Sequence, residues 1–418
     1  MAPGRTSLSR IAAWVTFLLL FLGFSLTVAL TTPWSPLPGS VPGGAAHPDA
    51  ARDFTAAQIA RETSYHDQIR PWGLTALVLG LLVPIVLGFT PLGARFVDLF
   101  RRRHWVVQVV IAVLTVTLLT TLVTVPIGAR AHAIQRHYGL TLQGWGGWAS
   151  DVARGYLVGL VSTLIAVLAI VALARWLPRT WWVAAAGVGA ALVIGGSFVY
   201  PYAVEPVFNH FHSLPPGELR TSLLDLARQD RQPLHDILVA DASKRTTTEN
   251  AYVSGFGASR RLVLYDTLIA QDTPAQIRVL TAHELGHAKY DDVLHGTLEG
   301  ALAVAAALVG LFLLLGARAG RPRLVPLMLA LYAVVAFAVS PLTNLVSRHI
   351  EARADAHSLQ LTRDPTTYVE AQKKLAIAGL DDLKPSRVLY ALFFSHPAPA
   401  ERIAMARDWA RQHGVPEP

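Results

Sequence analysis

Two histidines and a glutamate in the segment "TAHELGHAKY", residues 281–290, have the types and spacing of a metal-dependent hydrolase site. Residues four apart share one face of a helix, so His283 and His287 can both direct an imidazole nitrogen at one ion. Glu284 lies beside that site, where its carboxylate can take a proton from a water that attacks a peptide carbonyl and pass it to the leaving nitrogen. The chemistry that this segment indicates is hydrolysis of a peptide bond.

The motif fixes only three of its five positions, so an ordinary polar helix face is the alternative interpretation. Two features favour the metal site. Gly286 keeps the space between the histidines open, and the motif lies in the mostly apolar run "VLTAHELGHAKY", where uncoordinated His and Glu are costly to bury. We therefore predict that His283 and His287 bind a metal and that Glu284 is the general base.

A catalytic zinc generally needs three protein ligands and an open position for water. His295 is the nearest candidate for the third ligand. The extended motif that would use a nearby histidine requires Gly at 290 and His at 293, where this chain has Tyr290 and Val293. That class of site is excluded, and His295 is predicted to be a surface residue or one that supports a ligand.

A better candidate for the third ligand lies in "SRHIEARADAHSLQ", residues 347–360. Glu351 and Asp355 are four residues apart and share a helix face. We predict that Glu351 ligates the metal and that Asp355 orients a metal-bound histidine by accepting its other ring N–H. The alternative is a solvated helix on which both carboxylates face water.

The surrounding chain has the composition of a multi-pass membrane protein. Its 418 residues are 52% hydrophobic and only 15% charged, with a mean hydropathy of +0.40, whereas soluble domains have roughly 25% charged residues. It has no cysteine, which excludes disulfides, thiolate metal sites and a cysteine nucleophile. The net charge is +8, and the clearest basic runs lie between apolar segments. We interpret these runs as orientation signals and lipid contacts rather than as nucleic-acid binding sites.

Seven apolar runs are long enough to span a bilayer, and they begin near Ile11, Leu74, Trp105, Gly155, Trp182, Leu298 and Leu324. The first is predicted to be a retained anchor rather than a signal peptide. The fold class that follows is mainly α, with about seven transmembrane helices and a zincin-like metallopeptidase domain that contains a small β-sheet. We predict an amino-terminal membrane domain with about five spans, a soluble insert with the motif helix, two further spans, and a helical carboxy-terminal part with the third ligand (residues 1–205, 206–297, 298–346 and 347–418).

Within the insert, the strand-like segments "DILVAD" and "RLVLYD" start at Asp236 and Arg261, and residues 274–290 have the pattern of one helix. With these residues identified, the chain resembles the type I CAAX prenyl protease family of multi-pass membrane zinc metallopeptidases. The segments that carry the resemblance are "YPYAVEPVFNHFHSLPPGELRTSLLDLA", "ASKRTTTENAYVSGFGASRRLVLYDTLI", "HELGHAKYDD", "SRHIEARAD" and "SHPAPAERI". They cover most of residues 200–403, whereas the amino-terminal half is similar only in the number and placement of its apolar runs.

The resemblance implies one Zn²⁺ per chain, bound by His283, His287 and Glu351. It also implies that Asn250 and Ala251 mark a strand edge that holds the substrate backbone, a mode of binding that needs no particular side chains.

His396 and Arg402 match positions associated with the transition state, where a donor can stabilise the negative charge of a tetrahedral intermediate. Both can instead be structural, His396 in a proline-rich loop and Arg402 in a pair with a carboxylate. Arg348, one turn before Glu351, is expected to brace the site through a salt bridge.

The expected partners are a peptide or protein substrate, with or without a lipid modification, and membrane lipids, but no nucleic acid. Prenylated peptides and membrane proteins that require degradation both remain open as substrates, since Asp291 and Asp292 depart from the family pattern. A non-cleaving scaffold and a metal transporter are the alternative functions. The intact Glu284 argues against the first, and the near absence of acidic residues and histidines in the spans of residues 74–198 argues against the second.

The chain is expected in the cell membrane, and two arguments about its orientation disagree. The positive-inside rule places the Arg-rich loops at residues 95–103 and 318–323 in the cytoplasm and the zinc domain on the outer face. Resemblance to the better-known family members implies a site that faces the cytosol. Both orientations remain open at this point.

Overall fold

The computed structural model describes residues 5–232, 234 and 236–418. The described chain is mainly helical and contains one small sheet. Its helices, in chain order, are α1 Arg5–Thr31, α2 Ala50–Asp53, α3 Ala56–Phe89, α4 Pro91–Asp98, α5 Trp105–Tyr138, α6 Trp145–Trp176, α7 Trp181–Ala203, α8 Glu205–Phe208, α9 Glu218–Gln229, α10 Asp266–Gln271, α11 Pro274–Lys289, α12 Asp292–Leu315, α13 Val325–Thr362, α14 Pro365–Gly379, α15 Arg387–Phe393 and α16 Pro399–Gln412.

Seven of the described helical segments are long and apolar enough to cross a membrane, which confirms the predicted number of spans. They comprise α1, α3, α5, α6, α7 with α8, α12 and α13. Several of these helices are longer than the apolar runs within them. The 38 residues of α13 extend about 57 Å, well beyond the ~30 Å hydrocarbon core, so its last turns leave the membrane. Glu351 and Asp355 lie on this extension.

The sheet has the strand order β1-β2-β4-β3, with β2 and β4 parallel and the other pairs antiparallel. Its strands are β1 Phe211–Ser213, β2 Ile237–Ala240, β3 Ala251–Ser254 and β4 Arg261–Tyr265. The predicted strands of "DILVAD" and "RLVLYD" are therefore β2 and β4, which lie side by side. β3 occupies one edge of the sheet.

The motif helix α11 packs between this sheet and the extension of α13. Thr273 caps its amino terminus through a capping box with Gln276, which defines where the helix begins. Ile277 and Leu280 pack against the strands, while Val279 packs into an apolar cluster with Tyr368 and Trp409 of the carboxy-terminal helices. The histidines of the motif are thus held on a helix that is buried on two sides.

Gly286 has a different role from the one expected. A Cβ at this position would lie 3.2 Å from the Cα of Ala354 and 3.2 Å from the Cβ of His357, both on α13. The glycine therefore permits close approach of α11 and α13, because the nearest atoms that a Cβ would meet belong to α13 and not to His283 or His287. That close approach brings the two halves of the site together.

The loops divide between two sides of the helix bundle. The connection between α1 and α3 packs on the carboxy-terminal helices through Phe54 and through a hydrogen bond of 2.7 Å from the Ala46 amide to Asp408. The connection after α5 contacts the sheet domain, since the Thr247 amide donates to the Leu140 carbonyl at 3.1 Å. We call this side, which carries the sheet, α11 and α14 to α16, the catalytic side. The connections that contain α4, residues 177–180 and residues 316–324 lie on the opposite side.

Candidate active site

Three donor groups converge where α11 meets α13. His283 Nε2 lies 3.2 Å from His287 Nε2 and 3.2 Å from Glu351 Oε2, and Glu351 Oε1 lies 3.7 Å from His287 Nε2. One donor atom from each residue falls within 4.8 Å of the others. The three residues predicted as metal ligands are thus brought together across 68 positions of sequence, and their mutual spacing suits a single small cation.

Each histidine has its second nitrogen engaged by a carboxylate. His283 Nδ1 lies 2.8 Å from Asp355 Oδ1, and His287 Nδ1 lies 2.9 Å from Asp292 Oδ2. Carboxylates in these positions hold the proton on Nδ1 and leave Nε2 free to coordinate, which is the usual arrangement of metal-bound histidines. The donor set and its supporting carboxylates therefore fit a divalent metal.

The charges around the histidines favour a cation. Burial alone would lower the pKa of His283, but hydrogen bonds and charge from Asp355 and Glu351 raise the pKa to about 9. Burial likewise opposes the charged form of His287, yet Asp292 and Glu351 raise its pKa well above the ordinary value. A metal ion bound at Nε2 would supply positive charge to the same carboxylates that otherwise favour protonation of the two histidines.

Glu284 lies on the next position of α11 and faces the sheet edge. Its Oε2 accepts a hydrogen bond of 3.0 Å from the Val253 amide of β3. Burial raises the pKa of Glu284, and the neighbouring imidazoles reduce this effect without cancelling it. A carboxylate with a raised pKa binds a proton more readily, as a general base requires.

The free edge of β3 lies beside Glu284. The Asn250 carbonyl accepts from the Tyr265 amide at 2.9 Å, so Asn250 pairs towards β4. Backbone groups alternate along a strand, and Ala251 and Val253 therefore direct their N–H and C=O groups away from β4. The contact from Val253 to Glu284 agrees with this alternation. Of the two expected substrate-binding residues, Ala251 directs its backbone N–H and C=O to the open edge, while Asn250 is exposed and directly precedes β3.

Comparisons with known proteins identify the family of this chain. The family described as CAAX prenyl protease N-terminal, five membrane helices, matches residues 61–210, and peptidase family M48 matches residues 213–410. An uncharacterized metalloprotease, YhfN of Bacillus subtilis (strain 168), is 30% identical over 325 residues, which cover 74% of this chain and 75% of YhfN. The chain belongs to peptidase family M48. It is an integral multi-pass membrane metalloprotease, as the motif and the composition predicted.

This M48 peptidase is also similar to a plant protein in sequence and to a solved structure in fold. A CAAX prenyl protease 1 homolog of Oryza sativa subsp. japonica is 32% identical over 221 residues, which cover 50% of this chain and 52% of the plant protein. The crystal structure of S. mikatae Ste24p superposes with a TM-score of 0.76 at 20% identity and covers 94% of this chain and 98% of that one. The structural similarity confirms the mainly α fold with a small sheet.

The two residues expected at the transition state have different surroundings in this M48 peptidase. His396 Nε2 lies 3.3 Å from Glu351 Oε2, and its side chain is 56% exposed, so the ring can reach a molecule bound in the site. Arg402 instead forms a bidentate pair with Asp355, with Nε 2.8 Å from Oδ2. Its guanidinium is committed to the carboxylate that contacts His283.

Arg348 and His295 also differ in their contacts. Arg348 donates to the carbonyls of Tyr390 and Phe394, at 3.0 and 2.6 Å, and stacks over the Tyr390 ring. The expected salt bridge is not among the contacts of the described residues, because carbonyls of the segment before His396 occupy the guanidinium. His295 lies on α12, and its amide donates to the Asp291 carbonyl at 2.9 Å. It does not belong to the three-residue donor group found among the described residues.

The role of Asp292 was not predicted from the sequence. One of its oxygens contacts His287, and the other accepts a hydrogen bond from Arg353, whose guanidinium stacks over Tyr290 at 4.2 Å. An acidic residue five positions after the second motif histidine was the available signal. The adjacent Asp291 points to Arg260 instead, so the choice between the two aspartates depends on the turn between α11 and α12.

A cavity of about 660 Å³ adjoins the free edge of β3. Val253 lines the cavity and also contacts Glu284, which connects it to the proposed base. Its lining further includes Tyr200, Phe208, Tyr252, Tyr265 and Val293, together with the buried Glu205. Glu205 accepts from Ser254 and Arg261, so its charge is compensated within the wall.

Proposed function

We propose that this M48 peptidase is a zinc endopeptidase in which His283, His287 and Glu351 hold one Zn²⁺. The observation that carries the proposal is the convergence of these three donors beside Glu284 and the free edge of β3. A zinc ion in this position supplies an activated water and positive charge near the scissile carbonyl. Zinc is the metal that a His-His-Glu donor set with an open position suits best.

Glu284 is proposed to move the protons of the reaction. Its carboxylate takes a proton from the attacking water and then delivers it to the nitrogen of the leaving amine. The hydrogen bond from the Val253 amide holds one oxygen, Oε2, in a defined position. That restraint leaves the other oxygen, Oε1, to exchange the proton.

The free edge of β3 is proposed to hold the substrate as an added strand. Ala251 offers its outward N–H and C=O groups to an extended peptide, and Val253 offers its outward C=O, while the Val253 N–H stays on Glu284. Asn250 lies where such a strand would end. Main-chain pairing of this kind accepts many side-chain sequences. A peptide held there lies directly beside Glu284, because Val253 contacts both.

His396 is proposed to donate a hydrogen bond to the oxygen that gains negative charge during attack. Its ring is accessible and lies next to Glu351. Arg402 is proposed to act through Asp355 and His283 as a positioning residue, since its guanidinium is bound to Asp355. Arg348 is proposed to position His396 by holding the carbonyls of residues 390 and 394.

The proposed substrates are membrane-associated polypeptides that carry a bulky apolar group near the cleaved bond, including prenylated peptides. The cavity beside β3 supports this proposal, because aromatic and aliphatic side chains form much of its wall. The plant relative that matches half of this chain is named as a CAAX prenyl protease homolog, which supports the same class. We propose the cell membrane as the location.

The test uses the full chain purified in detergent, with metal content measured by elemental analysis. Cleavage is measured on one unstructured peptide in two forms, with and without a farnesyl group on a cysteine near its carboxy terminus. We expect about one zinc per chain and faster cleavage of the farnesylated form. Zinc with equal cleavage of both forms would overturn the lipid preference alone, and absence of bound metal would overturn the zinc site.

Two variants make this test specific to the site. Glu284→Gln should abolish cleavage of both peptides, which excludes a contaminating protease as the source of activity. Glu218→Gln changes an exposed glutamate at the start of α9 and is the matched control, with unchanged cleavage expected. Equal activity of the two variants would overturn the assignment of Glu284.

A further inference from the structure

The face of the protein opposite the catalytic side is strongly basic. Residues 8–10, 90–104, 175–180 and 316–324 lie there, and they contain one acidic residue, Asp98. Ten exposed arginines belong to these segments, which we call the basic face: Arg10, Arg95, Arg101, Arg102, Arg103, Arg175, Arg179, Arg318, Arg321 and Arg323. The whole chain has 36 Lys and Arg against 28 Asp and Glu, a net charge of +8. The ten arginines and one aspartate of the basic face account for all of this excess, because the rest of the chain has 26 basic and 27 acidic residues.

Contacts between the segments show that they form one continuous surface. The Ser9 hydroxyl donates to the Arg179 carbonyl at 2.8 Å, and Arg175 donates to the Gly320 carbonyl at 3.3 Å. Arg323 lies 3.5 Å from Asp98 and joins the segment of residues 316–324 to that of residues 90–104. The basic residues are therefore gathered at one end of the bundle, whatever the exact limits of each span.

Most of this charge is uncompensated by protein. Asp98 is the one acidic partner of these arginines within the part of the chain that the structure describes. Several of them donate to carbonyls at helix ends, as Arg10 does to Leu313 and Arg318 does to Leu315, and such contacts leave the positive charge in place. A surface of this kind is complementary to anionic lipid headgroups.

The catalytic side has less uncompensated positive charge, and its short connections are less basic. Its arginines are paired with carboxylates in many places, as in Arg70 with Asp382, Arg245 with Asp151 and Arg407 with Asp53. Its short connections are also poor in positive charge. Residues 32–55 contain one arginine and two aspartates, and residues 139–144 contain no charged residue.

We infer that the basic face lies in the cytoplasm, against anionic headgroups, and that the catalytic side faces away from the cytoplasm. Short connections rich in Lys and Arg are retained on the cytoplasmic side of a membrane, and the rule applies to short connections more strongly than to long domains. The long sheet domain does not oppose this assignment. Together with the proposed function, on which this step rests, the orientation restricts the substrates to polypeptides that are accessible from the non-cytoplasmic side.

The orientation can be measured with two cysteine substitutions, because the natural chain has no cysteine and each new thiol is its only one. Ala275→Cys lies at the exposed start of α11 on the catalytic side, and Ala317→Cys lies at an exposed position of the basic face. The substitutions are chemically identical and change no charge. Intact spheroplasts of an expressing bacterium are treated with a membrane-impermeant maleimide before and after permeabilisation.

We expect Ala275→Cys to be labelled in intact spheroplasts and Ala317→Cys to be labelled only after permeabilisation. The reverse pattern would overturn the inference, and so would labelling of both thiols in intact spheroplasts, which indicates two orientations. The readout is independent of proteolysis. A failed orientation is therefore distinguishable from a failed proposed function, and the same labelling in a Glu284→Gln background serves as a check.

A second set of variants tests whether the charge of the basic face determines the orientation. Replacement of Arg101, Arg102 and Arg103 with Gln in the Ala317→Cys chain should increase its labelling in intact spheroplasts. Replacement of the same three residues with Lys preserves the charge and should leave the labelling unchanged. If the Gln and Lys variants are labelled equally, the proposed role of these charges is overturned.

Discussion

The Val253 amide donates a hydrogen bond of 3.0 Å to Glu284 Oε2, which links the free edge of the sheet to the metal-motif helix. The group that would hold a substrate backbone and the group that would move its protons are therefore in direct contact. A change in one is therefore expected to affect the other.

Replacement of Glu284 with Gln should lower kcat/KM about 10²- to 10⁴-fold, the usual contribution of a general acid–base group. Metal content should not change, because the three donor residues are intact and glutamine can still accept the hydrogen bond from Val253. Steady-state kinetics and elemental analysis on the same preparation check both parts. Loss of metal together with activity would show that Glu284 acts through the ligands rather than as a base.

Replacement of Glu351 with Ala should lower metal occupancy as well as activity, because it removes one of the three converging donors. The loss of affinity should exceed the roughly 10- to 100-fold effect of removing a residue that only supports a ligand. Glu370→Ala changes an exposed glutamate on α14 and is the matched control. Unchanged occupancy in Glu351→Ala would direct the search for a third ligand back to His295.

Replacement of Asp292 with Asn should weaken metal affinity roughly 10- to 100-fold, since it removes the charge that orients His287. The comparison is Asp291→Asn, at the neighbouring position. The Asp291 side chain is 49% exposed and pairs with Arg260, so its replacement should leave affinity unchanged. Competition with a chelator of known affinity measures both variants, and equal effects would remove Asp292 from the site.

Replacement of Asp230 with Asn should destabilise the catalytic side by about 2–4 kcal/mol, because it breaks a buried charged pair. The Asp230 side chain is 3% exposed and contacts Lys289 Nζ at 2.9 Å and His357 Nε2 at 2.8 Å. These contacts link the end of α9 to α11 and α13. Asp225→Asn changes a partly exposed aspartate of α9, whose side chain is 43% exposed, and should have little effect. Thermal unfolding in detergent near neutral pH checks the difference.

The same residue predicts a dependence on pH. Burial acts to raise the pKa of Asp230, but His357 and Lys289 outweigh it and lower the pKa below its ordinary value. A carboxyl whose pKa is lower in the folded state stabilises the fold above its unfolded pKa of ~3.9, and this contribution is lost as the pH falls through the folded pKa. The gap in stability between wild type and Asp230→Asn should therefore be constant near neutrality and become smaller below about pH 4. A gap that grows on acidification would contradict the assignment.

The local sequence was sufficient to predict features that depend on the residues of a single helix. His283, Glu284 and His287 lie on one helix, so their spacing determines their relative directions before any tertiary contact forms. The seven spans were likewise predictable, because a bilayer demands long apolar runs. The residues at which the helices begin and end were not predictable from the apolar runs, since polar turns such as those of α13 continue past the membrane. The roles of the site residues stay predictions until the variants are measured.

Identification of the third donor required both the local sequence and the tertiary structure. The spacing of Glu351 and Asp355 marked them as a pair on one helix face, but nothing local brings α13 to α11. Their approach depends on Gly286, whose missing side chain lets the backbone of Ala354 lie close. The sequence contained the glycine, and only the packing revealed what it faces.

The sequence by itself determined the chemistry that the motif helix can perform and the number of times the chain can cross a membrane, because both follow from spacing along single helices. Only the tertiary structure decided which carboxylate supports each histidine. Asp292 rather than Asp291 reaches His287, because Asp291 adopts a left-handed conformation, with φ of 50°, at the break between α11 and α12. Such a choice depends on where two helices meet, which no local pattern specifies.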